Sequence, residues 1–190
     1  MCLSFGAWGK TILVYGDSLS AAYGIAAKRG WVALLGERLQ RERLDYIVVN
    51  ASISGETTAG GVSRLPRALA QHKPALVILE LGGNDGLRGL PVPAMEKNLA
   101  AMIGMSKKAG AKVLLAGMRV PPNYGPEYAD DFAAAFRALA QRHRTAFVPF
   151  ILEGVAEDLR LFQPDRIHPT EAAQPILLEN VWKELRPLLR

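Results

Sequence analysis

The chain of 190 residues holds one cysteine, Cys2. An intramolecular disulfide is therefore excluded, and so is a zinc or iron–sulfur centre built on several thiolates of one chain. No apolar run approaches the roughly 20 residues that a membrane helix needs, which argues against stable insertion into a bilayer. The 23 Lys and Arg against 18 Asp and Glu leave a net charge of +5, with the basic residues scattered along the chain. No dense basic cluster interleaved with aromatics is present, so nucleic acid is not an expected partner. There is no G-x-x-x-x-G-K-[ST] loop, no G-x-G-x-x-G after the first apolar run and no H-E-x-x-H, which removes the motifs for nucleotides and for a zinc protease. G-x-S-x-G is missing too: around Ser18 the second glycine is replaced by Ser20. The usual nucleophile elbow of an α/β-hydrolase is thus absent.

What remains is ordinary globular material, 49% hydrophobic and 22% charged, of a length suited to one domain. Short apolar, β-branched runs recur at Thr11–Tyr15, Tyr46–Val49, Ala75–Leu79, Lys112–Ala116 and Ala146–Val148. Continuous runs of this kind predict strands buried on both faces, as in a parallel sheet. Between them lie helical stripes: Trp31, Leu34, Leu35 and Leu39; Val62, Leu65 and Leu69; Met95, Leu99, Met102 and Ile103; Tyr128, Phe132, Phe136 and Leu139. These are core-facing positions at helical spacing. A last helix runs to about Leu185, with Pro187 as its stop. Strand starts about 30 to 35 residues apart match βαβ units. The expected fold is a single-domain, doubly wound α/β sheet of five parallel strands covered on both faces. Residues 10–190 are read as that domain. Residues 1–9, MCLSFGAWG, read as the tail of a secretory signal peptide or as an N-terminal extension.

A fold of this kind binds its ligand outside the carboxyl ends of its strands. The first strand is followed there by Gly16-Asp17-Ser18-Leu19-Ser20, the second by Asn50-Ala51-Ser52-Ile53-Ser54-Gly55 and the third by Gly82-Gly83-Asn84-Asp85. Asp165-Arg166-Ile167-His168-Pro169 follows the fifth. Each is weak alone; Gly82-Gly83-Asn84-Asp85, for instance, is by itself a turn. The histidines sharpen the reading. His72 and His143 sit near helix C-termini beside basic residues, where a solvated role is expected. Only His168 has a carboxylate three residues before it, and Pro169 keeps that stretch extended and out of the next helix. Asp165 can then orient one ring nitrogen while the other faces outward. A serine hydroxyl needs such a base. Ser18, in the tight turn after the first strand, is the natural candidate over Ser20, Ser52 and Ser54. Its own N–H, at or near a helix N-terminus, can serve a developing oxyanion. Gly55 N–H and the Asn84 carboxamide can add two more donors, each worth about 10²–10³ in rate.

Taken in order, Gly16-Asp17-Ser18-Leu19, Gly55, Gly83-x-Asp85 around Asn84, and Asp165-x-x-His168 resemble the GDSL, or SGNH, hydrolases. The wider text (ILVYGDSLSAAYGI, VVNASISGETTAGG, ELGGNDGLRGLP, PPNYGPEY, DRIHP) is most similar to their bacterial periplasmic thioesterase/lysophospholipase branch, the arylesterases. The resemblance spans about Lys10 to Leu189. It implies a flavodoxin-like, three-layer α/β/α fold and a serine esterase, acyl-CoA thioesterase or lysophospholipase that needs no cofactor or metal. It further implies Ser18 as nucleophile, His168 as base, Asp165 as its orienter, and an oxyanion hole of Ser18 N–H, Gly55 N–H and the Asn84 side chain. In similar enzymes the loops here at Gly86 to Pro93 and Arg119 to Tyr128 flank an open groove. Leu87, Leu90, Pro121, Pro122 and Tyr124 would give that groove an apolar wall.

The expected partner is therefore a small acyl ester or thioester, with medium to long acyl chains, met by a monomer. The expected compartment is the periplasm, or the outside of the cell, where a signal peptide stands upstream, and otherwise the cytoplasm. Two alternatives use the same rim: a carbohydrate O-deacetylase on the same triad, and a non-catalytic flavodoxin-like module that holds phosphate or flavin.

Overall fold

Residues 9–189 are described, in a computed structural model of the chain. All but Gly9 of the opening nonapeptide lies outside them. Five strands form one sheet: β1 (Lys10–Gly16), β2 (Tyr46–Asn50), β3 (Leu76–Glu80), β4 (Lys112–Ala116) and β5 (Ala146–Val148). Every pairing is parallel, and the order is β2-β1-β3-β4-β5. The helices are α1 (Trp31–Arg41), α2 (Thr58–His72), α3 (Gly83–Leu87), α4 (Val92–Lys108), α5 (Pro126–His143) and α6 (Gln174–Leu185). Helices α1 and α6 pack together, while α2, α4 and α5 pack side by side in sequence. This is the doubly wound three-layer α/β/α arrangement, with the flavodoxin-like strand order.

The aliphatic runs form strands because β-branched side chains pack well on a pleated surface covered from both sides. Leu76 to Glu80 is buried throughout. Strand β2 departs from the expectation of burial on both faces: Tyr46, Val48 and Val49 are half-buried and Ile47 is exposed. It lies at the edge of the sheet, so one long side has no strand beside it. The stripes on the helices do face the core, with Trp31, Leu35, Leu39, Leu65, Leu99, Phe132 and Phe136 all fully buried. Helix α6 ends at Leu185, and a 3-10 turn over Arg186–Leu188 contains Pro187. His72 and His143 are the last residues of α2 and α5. Among the described residues, no helix is long and apolar enough to cross a membrane.

Two local expectations are corrected. Gly82-Gly83-Asn84-Asp85, by itself only a turn signal, leads directly into α3. Gly82, at φ 114°, makes the sharp break after β3, and its carbonyl accepts Gly86 N–H at 3.0 Å to open the helix. The stretch from Gly86 to Pro93 is accordingly the end of α3, a short connection and the start of α4, rather than one loop. Ser18 does not stand at a helix N-terminus. Ala21 N–H reaches Asp17 O at 2.9 Å and Tyr23 N–H reaches Ser18 O at 3.1 Å, after which left-handed Ala22 (φ 59°) and Gly24 (φ 73°) stop the winding. A single irregular coil carries the serine, and α1 begins only at Trp31.

Candidate active site

The topological switch point lies where β1 has β2 on one side and β3 on the other, and all the chemistry-bearing residues gather beyond it. The coil after β1 is tied to both neighbours. Gly16 N–H donates to Ser52 Oγ at 3.1 Å, Ile53 N–H to Gly16 O at 3.0 Å, and Asn50 Nδ2 to Ser20 O at 2.7 Å. From β3, the Glu80 carboxylate accepts Ser20 Oγ–H at 2.6 Å and Asp17 N–H at 3.3 Å. Ser18 itself is half-buried.

His168 arrives on the long connection between β5 and α6. Asp165 Oδ1 accepts the N–H groups of Ile167 (2.9 Å) and His168 (3.0 Å), and left-handed Arg166 (φ 57°) completes this tight loop. The other oxygen, Oδ2, lies 2.6 Å from His168 Nδ1, and His168 Nε2 lies 3.0 Å from Ser18 Oγ. The His168 N–H, with the imidazole and the Ile167 N–H, holds the carboxyl of the exposed Asp165 down at about 2 against some desolvation. An ionised carboxylate only accepts hydrogen bonds, so Nδ1 carries a proton; in the neutral ring Nε2 is then the lone-pair nitrogen that faces Ser18 Oγ. Such a chain can draw a proton from Ser18 Oγ and return it to a leaving group.

Three groups beside Ser18 were expected to meet an oxyanion, and they differ in commitment. Among the described residues, Ser18 N–H and Gly55 N–H make no hydrogen bond. Gly55 is glycine for its backbone, at φ 78°; a Cβ there would meet nothing within 4 Å. Asn84 Nδ2, by contrast, donates to Asp17 Oδ2 at 3.0 Å and to Glu56 O at 3.1 Å, which occupies both amide hydrogens. Arg64 steadies that second loop: it donates to Glu56 Oε2 at 2.7 Å and Ala51 O at 2.9 Å while its guanidinium covers the Tyr15 ring at 4.4 Å.

Residues 14–175 match the model of the GDSL-like lipase/acylhydrolase family. The chain belongs to this family. It is 57% identical to the esterase TesA of Pseudomonas aeruginosa over 180 residues, 95% of this chain and 90% of that protein. It is 42% identical to the thioesterase 1/protease 1/lysophospholipase L1 of Escherichia coli K12, over 94% of this chain and 85% of the other. A crystal structure of TesA superposes with a TM-score of 0.93 at 57% identity, covering 95% of this chain and all of that one.

In this acylhydrolase Asp85, the last member of the third block, does not face Ser18. It is buried under α2, where it accepts Thr58 N–H at 2.8 Å and Thr58 Oγ1–H at 2.6 Å and so caps the positive end of that helix. Of the expected groove residues, Leu87, Leu90 and Pro121 are exposed, and the side chain of Pro122 lies outside the described residues. Tyr124 is half-buried and donates its hydroxyl to Leu87 O at 2.7 Å, as Tyr128 does to Leu90 O at 2.8 Å, so the end of α3 and the connection after it are tied to the start of α5 and the segment that leads into it. Leu87 follows Asn84 by one turn of α3, which puts this apolar edge beside the polar centre. Two surface hollows of about 530 and 520 Å³ are lined by none of these residues. No three His, Cys, Asp or Glu among the described residues are grouped to hold a metal ion.

Sequence reasoning missed three parts of the site. The Tyr23 ring, half exposed, rests on the His168 ring with centroids 4.4 Å apart. Gln163 Nε2 donates to Tyr23 O at 2.8 Å and Pro169 O at 3.1 Å, linking the serine coil to the histidine loop. Glu80 lies beneath the coil. Only Glu80 left a trace in the sequence, as a carboxylate closing an otherwise aliphatic strand.

Proposed function

We propose that this acylhydrolase cleaves carboxylic ester and thioester bonds through an acyl-serine intermediate, with Ser18 as nucleophile, His168 as base and acid, and Asp165 as orienter. The observation that carries the reading is the unbroken relay from Ser18 Oγ to His168 Nε2 at 3.0 Å and from His168 Nδ1 to Asp165 Oδ2 at 2.6 Å. As Oγ attacks the carbonyl carbon, Nε2 takes its proton and the carbonyl electron pair moves onto oxygen. Ser18 N–H and Gly55 N–H, both uncommitted, meet that oxyanion. Asn84 Nδ2 joins them by turning one hydrogen from Glu56 O or Asp17 Oδ2 towards the new charge. Collapse breaks the bond to the alkoxide or thiolate, which leaves with the proton from Nε2. Water, deprotonated by the same nitrogen, then releases the acid and restores Ser18.

The names of the relatives, esterase and thioesterase/lysophospholipase, support leaving-group breadth, since all three reactions share one tetrahedral oxyanion. We assign the exposed Leu87 and Leu90, with Pro121 and Tyr124, to the acyl chain. The test is intact-mass spectrometry after treatment with a serine-reactive phosphonate, with the adduct mapped by digestion. A single adduct on Ser18, absent from His168→Ala, is the expected result. An adduct elsewhere, or none on the folded protein, would overturn the assignment, as would Ser18→Ala retaining more than roughly a few per cent of the ester turnover.

A further inference from the structure

The reaction makes no use of Glu80, yet this residue is only 2% exposed. As the last residue of β3 it stands in register with Gly16, the last of β1. One of its oxygens, Oε2, gathers Asp17 N–H and Ser20 Oγ–H, and so holds the coil on both sides of Ser18. The space for it exists because residue 16 is glycine: a Cβ there would stand 2.5 Å from Glu80 Oε2 and 2.8 Å from Ser20 Oγ. A buried acid is a poor filler, since its four predecessors in β3 are aliphatic and an apolar side chain would avoid the desolvation cost. Its gain lies in the donors it satisfies. Asp17 and Ser20 are themselves 2% and 1% exposed, and without Glu80 their donors would be buried with no partner. Burial, with the Asp17 carboxyl beside it, pushes Glu80 well above the usual carboxylate range, so a neutral acceptor can do the same work.

We propose that Glu80 is a positioning residue for the nucleophile: by fixing Asp17 N–H and Ser20 Oγ–H from below, it sets the height and angle at which the coil presents Ser18 Oγ to His168. This rests on the reading of Ser18 as nucleophile. The 3.0 Å contact between Oγ and Nε2 leaves little slack, because a displacement of about 1 Å can cost roughly 10²-fold in rate.

The experiment compares Glu80→Gln, Glu80→Met, Ser20→Ala and the Ser20→Ala/Glu80→Met double variant in the full chain. The readouts are kcat and KM for a p-nitrophenyl acyl ester and the rate of phosphonate labelling at Ser18. Glu80→Gln keeps the acceptor oxygen and should hold kcat within about threefold of wild type. Glu80→Met should lower kcat and the labelling rate together by roughly 10- to 100-fold, with KM within about twofold. Ser20→Ala should lose less than Glu80→Met, and the double variant no more than Glu80→Met alone. Wild-type kcat in Glu80→Met, an equal loss in Glu80→Gln, or additive losses in the double variant would each overturn the proposal. Should Glu80→Met fail to fold, wild-type kcat in Ser20→Ala would do so by itself. Labelling of the wild type separates the two levels of inference. No adduct on wild-type Ser18 removes the nucleophile assignment, whereas equal labelling of wild type and Glu80→Met removes only the role of Glu80.

Discussion

Replacing Asn84 with alanine separates transition-state stabilisation from the upkeep of the site. The side chain donates to Asp17 Oδ2 at 3.0 Å and to Glu56 O at 3.1 Å, and on our reading it swings one hydrogen to the oxyanion. Loss of one well-placed oxyanion donor costs about 10²–10³ in kcat, or roughly 2.7–4 kcal/mol of barrier. The same truncation strips a partner from the Asp17 carboxylate, which is buried at 2% exposure. An acceptor left in that condition costs about 1–3 kcal/mol of stability. For a chain of this size that lowers Tm by roughly 2–12 °C. Even from the low end of ordinary stability, about 5 kcal/mol, the variant would remain more than about 90% folded at 25 °C. Unfolding therefore cannot imitate a hundredfold loss. The assay is steady-state hydrolysis of a p-nitrophenyl acyl ester, with thermal melts on the same samples. Reduced kcat at KM within about twofold is expected. A variant with kcat within about threefold of wild type but the lowered Tm would refute the reasoning, because Asn84 would then serve only Asp17 and Glu56.

Two further outcomes test the surroundings of the site. Tyr15 donates its hydroxyl to Gly61 O at 2.8 Å, and burial pushes its pKa up to about 12. The folded protein thus keeps a proton that the unfolded chain loses above about 10, so this stabilisation is whole below pH 10 and falls as pH rises towards 12. Tyr15→Phe should lose about 1 kcal/mol near neutrality and lack this alkaline slope in urea titrations from about pH 7 to 12; parallel slopes would contradict it. Tyr23→Leu, which removes the ring resting on His168, should lower kcat roughly tenfold while Tyr23→Phe retains it, and an unaltered Leu variant would show that the stacking does not hold the imidazole.

Much of this molecule is legible without coordinates. The aliphatic runs locate each of the five strands to within about one or two residues, because packing against helices demands apolar side chains and that demand is local, even at the half-buried edge strand β2. The Asp165-x-x-His168 pairing is legible for the same reason: the two residues share one short loop, and Asp165 Oδ1 closes it on the backbone of residues 167 and 168. Gly55 and Gly82 carry backbone requirements in their own identity, at φ 78° and 114°. A parallel sheet was also within reach, since helices separate the strands.

What only the tertiary structure decided involves residues far apart in the chain. Strand order puts β2 at an edge and brings β1 beside β3, so that Glu80 reaches the Ser18 coil from 60 residues away. Helix packing sends Asp85 to the end of α2 instead of to the reaction centre. The sequence places Ser18 at or near a helix N-terminus, but left-handed Ala22 and Gly24 stop the winding after Ser18 before a helix forms. Tyr23, Gln163 and His168 meet across some 140 residues, a contact that no spacing in the sequence encodes. Local pattern reports which faces want burial and where the chain turns. Which polar groups then share one site depends on how those faces pack, and that is settled only when the whole core closes.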